Sequence, residues 1–88
     1  MTTFRKDPQA TLDYKLDWTP WLAGDTITAH TVTVDSGVTK TSDAHTDTSV
    51  TFWLSGGTVA ATYSVTVHIT TAQGRQDERT VRVRVEDR

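Results

Sequence analysis

Thr62-Tyr63-Ser64-Val65-Thr66-Val67-His68-Ile69-Thr70 is the stretch whose reading decides the fold. Tyr63, Val65, Val67 and Ile69 occupy every second position, with Ser64, Thr66, His68 and Thr70 between them. Successive side chains of an extended chain leave opposite faces, so this segment reads as a strand with one apolar and one hydroxyl-rich face. Ala72-Gln73-Gly74-Arg75 follows as a turn with glycine available for positive φ. Arg79, Val81, Val83 and Val85 then alternate with Thr80, Arg82 and Arg84, so the two runs predict a C-terminal hairpin.

The same period appears upstream. Val50, Phe52 and Leu54 alternate with Thr51, Trp53 and Ser55, and Gly56-Gly57 ends the run. Leu12, Tyr14, Leu16 and Trp18 alternate with Asp13, Lys15 and Asp17, which predicts a half-buried strand with those four residues on its apolar face. Thr19-Pro20 breaks it, because proline has no ladder donor and pushes its predecessor to extended geometry. Trp21 and Leu22 then fall in a connection that turns at Gly24-Asp25. Thr26 to Val34 is a strand whose inward set is either Ile27 and Ala29 or Val32 and Val34, since threonine occupies so many of its positions. Asp35-Ser36-Gly37 is a turn, Val38 to Ser42 a short strand, and Asp43 to Asp47 a polar loop holding His45.

No segment carries apolar residues at helical spacing over any length. The expected architecture is therefore all-β, an immunoglobulin-like sandwich of about seven antiparallel strands over residues 11–88. Residues 1–10 show no period, contain Pro8, and read as an extended N-terminal arm.

Composition agrees. Threonine fills 19 of the 88 positions, and a branched side chain with a hydroxyl suits the solvated face of a sheet. At 35% hydrophobic and 23% charged residues the chain is polar for a globular protein but has too much apolar content for a disordered one. The length allows one core, and a chain this short buries roughly 60–65% of its unfolded surface. A net charge of -2 argues against nucleic acid or an anionic membrane as partner. The absence of cysteine removes disulfides and thiolate chemistry. Met1 to Pro8 lacks the apolar core of a signal peptide and no run is long enough to span a bilayer, so synthesis in the cytoplasm from Met1 is the expectation.

Chemistry-bearing residues are few. His30, His45 and His68 fall on different predicted elements, and none stands at ligand spacing with a second histidine or a carboxylate, so no metal site is expected. Ser42, Asp43, His45, Asp47 and Ser49 make an ordinary polar loop, without the glycine and ligand periodicity of a calcium loop or the glycine-flanked serine of a hydrolase. No catalytic residue and no cofactor is expected.

Residues that would meet a partner are easier to name. Trp53 is out of phase with Val50, Phe52 and Leu54, which puts an indole on the solvated face of its strand. Trp18 shares the phase of Leu12, Tyr14 and Leu16 and belongs to the core, while Trp21 caps one end or touches a partner. Arg82 and Arg84, among the mixed charges of the last strand, either protect a sheet edge or form a docking surface. Phe4, Arg5 and Lys6 give the arm the means to add a strand to an exposed edge.

Gly57-Thr58 and Thr62 to Val67 resemble the penultimate strand of bacterial and phage immunoglobulin-like domains. That resemblance implies that Tyr63 is a corner residue whose hydroxyl bonds a nearby backbone group. A broader set covers nearly the whole chain: Leu12-Asp13-Tyr14, Asp17-Trp18, Trp21-Leu22, Gly24-Asp25-Thr26-Ile27, Leu54-Ser55-Gly56-Gly57, Ile69-Thr70-Thr71 and Gly74-Arg75. Together they resemble the fibre-tail adaptors of tailed bacteriophages, with Thr19-Pro20 standing where small or polar residues would be expected. The resemblance implies a structural virion protein, made in the host cytoplasm and present in several copies in a symmetric assembly. It would join a fibre to the neck or tail ring through protein docking, with no nucleic acid or membrane partner. A capsid-decorating or receptor- or carbohydrate-binding module of the same fold is the alternative, because fold alone does not determine function.

Overall fold

A computed structural model describes residues 3–6 and 10–86. Among the described residues seven strands, β1 (Thr3–Lys6), β2 (Thr11–Asp17), β3 (Ile27–Val34), β4 (Val38–His45), β5 (Ser49–Gly56), β6 (Thr62–Thr71) and β7 (Gln76–Val85), form two sheets. One sheet has the order β1-β7-β6-β3 and the other β2-β5-β4. The all-β expectation is borne out. Lettered A to G in chain order, the sheets read A-G-F-C and B-E-D, whereas the constant-type immunoglobulin arrangement carries A beside B. One pairing departs from the antiparallel expectation: β1 runs parallel to β7, with Thr3 opposite Arg82 and Lys6 opposite Val85.

The apolar rows of the strands face one another across the sandwich. Phe52, Leu54, Val50, Val65, Val67, Ile69, Val83 and Val85 are fully buried, as are Trp18 and Leu22 at one end. Leu12 is a correction. It shares the face of Tyr14 and Leu16, but it stands near the start of β2 and remains exposed. Thr19–Leu22 forms a single helical turn, α1, with proline in its first turn, where a missing N–H costs nothing. Ala23 then takes the left-handed conformation that ends it.

Two bulges explain what alternation left open. In β3 the register shifts between Ile27 and Ala29, so Ile27 faces inward before the bulge and Val32 and Val34 after it. Both candidate faces were partly right, because the phase reverses within the strand. In β4 the shift lies between Lys40 and Ser42. The strand then continues through Asp43 and Ala44 to His45, where a loop was expected. Beyond the bulge Asp43 pairs with Phe52 and His45 with Val50, which turns both toward the gap between the sheets.

The segment expected as an arm is partly sheet. Thr3–Lys6 adds to the edge of β7 in its own chain, with the Phe4 ring tilted against Tyr14 at 4.9 Å between ring centroids and Tyr14 in turn 5.7 Å from Phe52. The expectations for Met1, Thr2, Asp7, Pro8 and Gln9 lie outside the described residues.

Candidate docking surfaces

The described residues enclose no pocket, and no group of three or more His, Asp or Glu among them is arranged to hold a metal ion. No helix among the described residues is long and apolar enough to cross a membrane. The residues singled out for contact with a partner lie on the outer faces and at one end of the sandwich, except Phe4 and Lys6, which turn inward.

On the β1-β7-β6-β3 sheet, alternation sends Val81, Val83 and Val85 inward and Arg82 and Arg84 outward. The parallel register sets Arg5 directly opposite Arg84, with Arg82 two residues back opposite Thr3. Glu86 reaches both ends of this row, 3.2 Å from Arg84 Nε and 3.8 Å from Arg5 Nε. Across the strand, Arg82 and Arg84 are opposite Ser64 and Thr62 of β6. Farther along, Thr66 and Thr80 share a 3.0 Å hydrogen bond. The face is a row of guanidinium groups beside a carpet of hydroxyls.

Of the other arm residues proposed from sequence, Phe4 is half-buried and Lys6 is fully buried. Its ammonium donates to the carbonyl of Gly56 at 2.7 Å. The period of β1 dictates this, since the phase that exposes Arg5 turns its neighbours inward.

The outer face of the β2-β5-β4 sheet has a different character. Trp53 is exposed there, as its phase required, flanked in register by Asp13 of β2 and Ser42 of β4. Lys15, Thr51 and Ser55 complete its surroundings on adjacent rows. The two outer faces thus differ: one presents arginine, the other an indole beside a carboxylate.

Trp21 is half-buried at the end of the sandwich beneath the Arg75 guanidinium, 4.4 Å from the ring centroid. Arg75 donates to the carbonyls of Leu22 at 2.6 Å and Trp21 at 3.4 Å, and its Nε lies 3.1 Å from the Asp25 carboxylate. These bonds satisfy carbonyls that a helix end leaves free. A bond from the Thr71 hydroxyl, outweighing the cost of burial and joined by the Thr26 N–H and Arg75, holds the Asp25 carboxyl below its ordinary range. Gly24-Asp25 and Gly74-Arg75, read separately in the sequence, are one structural clasp. Trp18 forms another: its Nε1 donates to Asp77 Oδ2 at 2.9 Å and Arg79 covers its ring at 4.5 Å.

The histidines are expected at the surface or in cross-strand contact, and two of them make such a contact. His30 and His45 are brought together, Nδ1 to Nδ1 at 2.6 Å, and His30 Nε2 lies 2.7 Å from Asp43 Oδ2. Burial of Asp43 is outweighed by bonds from His30 and Lys40, so its carboxyl stays below the usual value. This cluster bridges the β3 and β4 edges, closing the seam between the sheets. Sequence spacing did not reveal it because the β4 bulge and the sandwich topology together bring the residues into contact. The corner expectation for Tyr63 holds: its hydroxyl accepts the Thr58 N–H at 3.0 Å.

A two-sheet sandwich with an arginine row on one outer face and an exposed indole on the other belongs to the class of small all-β modules. A family model described as Podophage GP4 fiber-tail adaptor protein gp77 matches residues 6–84. The chain belongs to that family, a structural adaptor family of bacteriophages. No curated protein matches the chain.

Proposed function

We propose that this protein joins a fibre to the neck or tail ring of a podophage virion, in several copies around a symmetric assembly, by docking and without catalysis. Family membership over residues 6–84 is the observation that carries this reading. The contrast between its two outer faces supports it, because an adaptor must hold two different neighbours at once. Arg5, Arg82 and Arg84 serve one contact and Trp53 the other, with Trp21 at the end of the sandwich adjoining a partner. Copy number multiplies individually modest contacts into firm attachment.

Phage lacking the gene should assemble particles that have tails but no fibres, and the protein should be found by mass spectrometry in purified wild-type virions. Fully fibred particles without it would overturn the adaptor reading. Binding of the purified chain to a glycan array, lost on Trp53→Ala, would instead favour the carbohydrate-binding alternative.

A further inference from the structure

The arginine face carries more charge than the fold needs. Like charges directly opposite on adjacent strands are destabilising, yet the register sets Arg5 against Arg84. Glu86 is the only described carboxylate paired with either. Arg82 has no ion pair among the described residues. This concentration occurs in a chain whose net charge is -2. The residues are all arginines, whose planar forks grip carboxylates in two-point contacts that lysine cannot make. Ser64 and Thr62, in register with Arg82 and Arg84, add hydroxyl donors and acceptors on the same face.

We infer that this face binds an acidic segment of a neighbouring virion protein, its carboxylates seated on Arg82 and Arg84 and its backbone over the hydroxyls of β6. Charge complementarity selects the occupant: an acidic strand or loop neutralises the row that, among the described carboxylates, only Glu86 pairs with. The inference rests on the adaptor reading for the partner being a virion protein. The chemistry of the face itself does not depend on that reading.

Two measurements test it, with R82E/R84E as the variant. R84E sets a carboxylate opposite Arg5 and leaves the buried valines untouched, so the fold should persist, as the dispersion of the ¹⁵N spectrum will show. Hexaglutamate titrated into the full wild-type chain at low salt should shift the amides of β7, β1 and β6. The variant should bind it about tenfold more weakly, and salt near 0.5 M should abolish the shifts in the wild type. In phage carrying the variant, one of the two attachments, adaptor to particle or fibre to adaptor, should be lost, while K15E on the opposite face leaves that attachment intact. A folded variant that binds hexaglutamate as the wild type does, or that supports fully fibred particles, overturns the inference. Absence of the wild-type protein from virions would instead remove the adaptor reading, and the peptide titration would still report on the face.

Discussion

Removing the Asp77 carboxylate should cost far more than its partly exposed position near the start of β7 implies. Trp18 is fully buried, and its Nε1–H donates to Asp77 Oδ2 at 2.9 Å. Asp77→Ala leaves that N–H without its acceptor in the interior, which costs about 1–3 kcal/mol. The same change also breaks the 3.6 Å contact between Asp77 and Arg79, a pair at a partly exposed site that contributes at most ~1 kcal/mol. A double-mutant cycle with Trp18→Phe separates the two, since phenylalanine has no N–H to orphan. Urea unfolding followed by far-ultraviolet circular dichroism should give a loss of about 2–3 kcal/mol for Asp77→Ala in the wild-type background. In the Trp18→Phe background the loss should fall to about 1 kcal/mol or less. For a domain of this length the larger figure corresponds to a melting temperature lower by more than about 8 °C. Equal losses in the two backgrounds would refute the claim that the bond to the indole, and not the Asp77–Arg79 pair, carries most of the contribution of Asp77 to stability.

Three further outcomes are expected. Gly57→Ala forces a φ of +103° on alanine and drives a Cβ to 2.6 Å from Val85 Cγ2, whereas Gly24→Ala has a φ of +95° but nothing within 4 Å. Thermal melts should therefore show a loss of about 1 kcal/mol at Gly24 and clearly more at Gly57. Asp25 and Asp43 have carboxyls held below their unfolded values, so their contribution to stability is present above about pH 4 and disappears as pH falls through the folded values. Melting temperature should drop over that acid range, and Asp25→Asn should flatten the drop. Arg75→Ala removes the donors to Leu22 and Trp21 and uncovers the Trp21 ring, so the melting temperature should fall by several degrees while Trp21 fluorescence shifts to the red, as in a wetter environment.

Much of the core was legible because the period of two survives wherever a strand is unbroken. Phe52, Val65, Val67 and Val83 are buried on the faces that alternation assigned, and Trp53 is exposed for the same reason. What could not be read shares one cause, that the deciding contact lies far away in sequence or one residue out of phase. The bulge in β3 makes Ile27 and Val32 both inward, which no strict period allows. The bulge in β4 carries Asp43 and His45 to His30, although nothing in their spacing announces it. Leu12 obeys the period yet lacks cover, because burial near a strand's end depends on what crosses above it. The pairing of Arg5 with Arg84 required knowing that the first strand lies along the last.

That pairing of β1 with β7 imposes an order of events on the ribosome. The earliest strand to emerge must wait for the latest, and so must the Trp18 indole, whose acceptor sits on β7. Until residues 76–85 leave the exit tunnel, β6 has one vacant flank and half of the interior has no lid. Folding should therefore complete only once β7 has emerged, at the slower pace set by contacts between distant parts of a chain. A nascent protein arrested before β7 would be the form most exposed to proteases and to pairing with its siblings.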